Sequence, residues 1–130
     1  TEYALILNKY ADIHNLTGEY TRSEKFFQES LKILKSVEGN NSFNVNTVSV
    51  NMGNLYVNQG RIPEAEKLFS TAEDFYRTQL DDPAVEYAYY STLHNQALAL
   101  HSLSLYENAI QALCPSLLSN QLIRARLIMS

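Results

Sequence analysis

The 130-residue chain is expected to be all-α: a right-handed superhelix (α-solenoid) of three antiparallel helical hairpins, closed by a C-terminal capping helix. Three observations carry that expectation. Apolar and small residues recur at three- and four-residue spacing in successive segments, which is the period of one helical face. A related pattern returns after about 42 residues, the mark of a repeat array. Glycine or a small polar residue stands between the paired segments, where one helix has to stop before the next begins.

The first hairpin is expected to have helices at about 2–17 and 21–38. Ala11 and His14 lie on its first helix, Gly18 and Tyr20 at its turn, and Ser23, Phe27 and Ser30 on its second helix. In the second hairpin, helices are expected at about 44–59 and 62–80. Val48, Met52, Leu55 and Tyr56 mark one face of its first helix, and Ala65, Leu68, Phe69 and Ala72 one face of its second. Between them lies Asn58-Gln59-Gly60-Arg61-Ile62-Pro63, in which Gly60 suits a left-handed stop and Pro63 the first turn of the helix that follows. Small residues at Gly53, Ala65 and Ala72 let the two helices approach, while Tyr56 and Phe69 fill the space beside them.

The third hairpin is expected at about 84–102 and 105–114, with Ala97, Leu100, Tyr106, Ala109 and Leu113 in the packing positions and Ser104 in the place of the turn glycine. Pro115 should kink or end its second helix. A further helix is expected over 116–129, where Leu117, Leu118, Leu122, Ile123, Leu127, Ile128 and Met129 make an amphipathic pattern. A cap over the last hairpin is the preferred reading of that tail. The opening of a fourth repeat, or a face for self-association, is the alternative. The whole forms one domain over 1–130, with repeats at about 2–40, 44–82 and 84–115 and the C-terminal helix at 116–129.

The copies align by simple displacement. Gly18, Tyr20, Ser23 and Phe27 fall on Gly60, Ile62, Ala65 and Phe69 at a step of 42, and Ile62, Ala65 and Phe69 fall on Tyr106, Ala109 and Leu113 at a step of 44. Gly53, Tyr56, Gly60, Ala65, Phe69 and Ala72, with Ile62 in a position usually held by tyrosine, resemble the tetratricopeptide consensus at its full spacing. The outer copies resemble it more loosely. The long step is similar to that of kinesin light chain repeats, as are the Leu80-Asp81-Asp82-Pro83 connector and the placing of Asn51 and Asn95, although the Asn-rich stretch from Gly39 to Asn46 departs from that group.

The resemblance implies that the first helix of each hairpin lines a concave groove that holds a peptide or protein segment. The groove positions are Asn8, Lys9, Asp12 and Asn15 in the first copy, Thr47, Val50, Asn51, Asn54 and Asn58 in the second, and Ser91, His94, Asn95, Leu98 and His101 in the third. Most are uncharged amides, and each amide offers both donors and an acceptor to a peptide backbone. Arrays similar to this one that clamp an acidic C-terminus use Lys and Arg on these helices. Only Lys9 is present here, so that ligand is not expected.

Composition restricts the partners further. A net charge of −4 argues against nucleic acid, which demands clustered Lys and Arg. No stretch approaches the ~20 apolar residues of a membrane span. One cysteine, Cys114, rules out a disulfide within the chain and suits a reducing, cytoplasmic setting. Thr1 in first position fits an excised segment or a processed product. His94 and His101 are seven residues apart, a rise of ~10.5 Å, too far to share one metal ion bound at ~2 Å. His14 fits a packing position, and no phosphate loop or nucleophile elbow is present. The expected function is therefore non-enzymatic protein binding with no cofactor. A regulatory array attached to a larger protein, or a structural contact in a large assembly, is the alternative.

Overall fold

The computed structural model describes residues 1–113. Among these residues every regular element is a helix: α1 (Glu2–Leu16), α2 (Tyr20–Glu38), α3 (Phe43–Asn58), α4 (Ile62–Arg77) and α5 (Pro83–Leu113). Consecutive helices pack on one another, so α1/α2 and α3/α4 form two hairpins stacked in sequence, with α5 laid against α4. The first four helices fall within one or two residues of their expected bounds, apart from the end of α4. There the chain leaves the helix at Arg77 and turns through 78–82.

Both hairpin turns depend on backbone that L side chains avoid. Gly18 has φ 83° and Gly60 φ 77°, and a Cβ in that region costs roughly 1–2 kcal/mol. Past Gly60, the amide of Arg61 donates to the Tyr56 carbonyl at 2.7 Å, an acceptor in the last turn of α3 that the Gln59 amide also reaches at 3.1 Å. The connector between hairpins is closed by side chains instead. Ser42 caps α3 by accepting from the Val45 amide at 3.1 Å, and it donates to Glu38 at 2.8 Å. Asn44 also donates to Glu38 at 2.9 Å, while Asn46 donates to Asn41 at 2.9 Å and to the Ser42 carbonyl at 2.8 Å. The Asn-rich stretch that departs from the kinesin light chain pattern is thus occupied in holding this connector. At the next connector the Asp82 carboxylate accepts from the Ala84 amide at 2.9 Å, and Pro83 opens α5.

Small residues set the helix spacing. Gly53 of α3 lies so close to α4 that a Cβ there would sit 2.6 Å from a ring carbon of Phe69, and Phe69, Ala65 and Ala72 are fully buried. In the first hairpin two serines occupy small positions of α2 and turn them to use. Ser23 donates to the Ala11 carbonyl at 2.6 Å and Ser30 to the Ala4 carbonyl at 2.7 Å, so both buried hydroxyls are satisfied. His14 is only partly buried. Its Nδ1 bonds the Tyr10 carbonyl at 2.7 Å and its ring lies 5.2 Å from that of Phe26.

The third copy departs from expectation. No turn forms at Ser104; α5 continues as one helix of 31 residues through the point where 84–102 and 105–114 were expected to part. The physical reason lies in the residues there. Leu98 through Tyr106 contains neither glycine nor proline, so nothing supplies a left-handed stop or removes a helical amide. Ala97, Leu100, Tyr106 and Ala109, expected in packing positions, are exposed. Cys114, Pro115 and the helix expected over 116–129 lie outside the described residues.

Candidate protein-binding face

α1 touches α3, and α3 touches α5, so the first helices of successive repeats share one side of the stack. At 100° per residue each of these helices has three faces. On α3 the Gly53 face meets α4. Val45, Val48, Met52 and Leu55, about a third of a turn away, are all buried in the stack. Thr47, Asn51, Asn54 and Asn58 occupy the remaining third, which opens onto the shared side.

Two pairs of amides cross from α1 to α3 on that side. Asn51 donates to Asn8 at 3.1 Å, and Asn58 donates to Asn15 at 2.8 Å. These pairs join positions 43 residues apart, so they tie one repeat to the next as well as lining the surface. Asn15 is buried, Asn8 and Asn51 are half-buried, and Asn58 is exposed. An amide held by one such bond still has spare capacity: its second N–H and its carbonyl oxygen on the donor side, both N–H groups on the acceptor side. Asn54 and Asn95 are half-buried.

The other positions expected in the groove differ in their surroundings. Lys9 is exposed beside half-buried Asp12. Burial pushes the Asp12 carboxyl above its ordinary range, and the nearby Lys9 ammonium opposes that rise. Val50 is buried and belongs to the core rather than to the groove. Thr47 turns its hydroxyl to the Phe43 carbonyl at 2.9 Å and meets the Tyr76 hydroxyl at 3.2 Å. On α5, His94, Leu98 and His101 are exposed, so the side passes from amides on α3 to imidazole and aliphatic groups on α5. No group of three or more His, Cys, Asp or Glu among the described residues is arranged to hold a metal ion, and no helix among them is long and apolar enough to cross a membrane.

What reasoning from sequence missed is the pairing itself. Asn8 and Asn15 read as two separate groove amides, whereas their partners lie in the next repeat; the signal was their equal separation from Asn51 and Asn58. A second apolar row on α1 also passed unremarked, although Tyr3, Ile6, Tyr10 and Ile13 stand at helical spacing.

A family model described as tetratricopeptide repeat matches residues 2–78, the stretch that holds α1 to α4. No curated protein and no solved structure matches the chain. The matched stretch is more than half of the 130 residues and coincides with two complete hairpins, so the chain belongs to the tetratricopeptide repeat family, a fold of non-catalytic modules for protein–protein interaction.

Proposed function

We propose that this chain is a non-enzymatic binding module that holds an extended segment of a partner protein along the side shared by α1, α3 and α5. The observation that supports this reading best is the row of amides. Asn8 with Asn51, and Asn15 with Asn58, are fixed in pairs, and Asn54 and Asn95 extend the row toward α5. Amides held in place lose less side-chain freedom on binding than free ones, so a bond to the partner keeps more of its roughly 1 kcal/mol. Backbone N–H and C=O groups of an extended segment match the alternating donors and acceptors without requiring one particular side chain. Lys9 opposite Asp12, and the histidines of α5, give the ends of the row different character. The segment would thus lie in one direction.

Peptides selected from a random displayed library against the 130-residue chain provide the probe. Their affinities are measured by titration calorimetry for the native chain and for the triple variant Asn51→Ala/Asn54→Ala/Asn95→Ala, with circular dichroism to check helicity. A loss of at least tenfold with helicity retained is expected. Affinity unchanged within twofold, or amide chemical-shift changes confined to α2 and α4, would reject the groove.

A further inference from the structure

The repeat register makes α1 differ from its counterparts in one respect. At the 42-residue step, Tyr3, Ile6, Tyr10 and Ile13 fall on Val45, Val48, Met52 and Leu55 of α3; at the next step of 44 these fall on Tyr89, Thr92, Gln96 and Ala99 of α5. In α3 the four are 0 to 6 % exposed, on the helix that follows α2 and packs on it. In α5 Thr92 and Ala99 are buried and Tyr89 packs against the core, on the helix that follows α4. In α1 the same four positions are 51 to 59 % exposed. Three of them are larger and more apolar than their α5 equivalents, the fourth pair being tyrosine in both, and they run in one line for about 15 Å. Such a line of bulky apolar groups on a soluble surface marks an interface.

We propose that this line is a stacking seat for the second helix of one more tetratricopeptide hairpin, joined ahead of α1 in the same polypeptide. The interface already present twice in the molecule, α2 on α3 and α4 on α5, continues one step further onto α1. None of the four positions carries a charge, so the seat takes an apolar helix face rather than an acidic or phosphorylated segment. A linked source follows from the existing joints: residues 39–42 and 78–82 suffice to bring a second helix onto the first helix that follows it. Tyr10 in the line also packs on Phe26 of α2, with ring centroids 6.2 Å apart. The seat lies about a third of a turn from Lys9 and Asp12, so it stands apart from the amide row, and neither proposal depends on the other.

The test adds a duplicate of residues 43–87, which hold α3, α4, the connector and the first turn of α5, directly ahead of Glu2 in the full chain, so that Tyr3 follows the added helix at the spacing of Tyr89. In this longer chain the added second helix meets α1 as α4 meets α5. Hydrogen–deuterium exchange of α1 amides is compared in the longer chain, in the 130-residue chain, and in both carrying Ile6→Asp/Ile13→Asp. The expected result is at least tenfold slower exchange in α1 on lengthening, abolished by the double substitution, while exchange in the original α3 and α4 stays unchanged. Exchange in α1 that does not slow, including through failure of the added hairpin to fold on this seat, overturns the proposal. So does slowing that survives the double substitution. Sedimentation of the 130-residue chain supplies an independent check: a dimer dissolved by Ile6→Asp/Ile13→Asp would make a second copy the occupant and overturn the linked hairpin.

Discussion

α3 and α5 occupy the same place in successive repeats, yet among the described residues α3 is covered on two faces and α5 on one. Both lay one apolar row against the hairpin ahead. On α3 the next row, built on Gly53 and Tyr56, receives α4. On α5 the matching row, Ala97 and Leu100, stays open because the chain runs on to Leu113 without turning back. The difference teaches that the helical pattern alone does not make a hairpin. A residue that tolerates positive φ must stand where the first helix has to end, and Gly60 has that property whereas Ser104 does not.

Removing the side chain that α3 and α4 share should have the largest effect. Phe69→Ala empties a fully buried site and is expected to cost about 3–5 kcal/mol in urea denaturation. Leu100→Ala on the open row of α5 should stay within about 0.5 kcal/mol; a loss as large as that at Phe69 would show that α5 is covered after all.

Next comes the close approach. Gly53→Ala places a methyl 2.6 Å from the Phe69 ring, and the ring is enclosed on all sides. Overpacking of ~1–3 kcal/mol should outweigh the ~1 kcal/mol that alanine gains in helix propensity, leaving a net loss near 1 kcal/mol. The reverse change at the matching position, Ala97→Gly, meets no neighbour and should cost only the propensity difference. Stability curves for the pair separate packing from propensity.

The turn itself gives the third comparison. Gly60→Ala keeps φ near 77° only with strain, and a loss of about 1 kcal/mol is expected. Ser104→Gly should lower helicity around residue 104, read by hydrogen exchange, at a cost of about 0.5–1 kcal/mol. If that variant instead buries Leu100 and Tyr106, the glycine is all that separates the two repeats.

The smallest effect concerns charge. Burial raises the Asp12 carboxyl, so the folded state binds its proton more readily than the unfolded chain, and stability falls as pH rises through the interval between the ordinary value of 3.8 and the raised one. Asp12→Asn should therefore be slightly more stable at pH 7, and the advantage should vanish on acidification below that interval. Glu38 has the opposite sign. Its hydrogen bonds from Asn44 and Ser42 hold it below the usual range, so its contribution is present above its ordinary 4.5 and disappears as pH falls through the lowered value. Thermal-melting profiles of Asp12→Asn and Glu38→Gln against pH distinguish the two.

Much of the fold was legible in the residues, and for local reasons. Gly18 and Gly60 announce turns through backbone freedom, and Gly53, Ala65 and Phe69 announce close packing through size. The candidate site was legible only as a face. Asn51, Asn54 and Asn58 follow from helical phase, but whether an amide meets a partner across the next helix depends on the offset between repeats, which phase does not contain. For the same reason Val50, a groove position by spacing, belongs to the core.

Local chemistry by itself determined the helices, the two glycine turns and the membership of a repeat family, because each rests on interactions within about four residues or on a pattern that repeats along the chain. Tertiary structure decided the rest. It set the tying of Asn8 to Asn51 and Asn15 to Asn58, and the contrast between buried Val48 and exposed Ile6 at equivalent positions. Burial belongs to what lies opposite a side chain, and the same apolar row becomes core or open surface according to whether a helix is stacked on it.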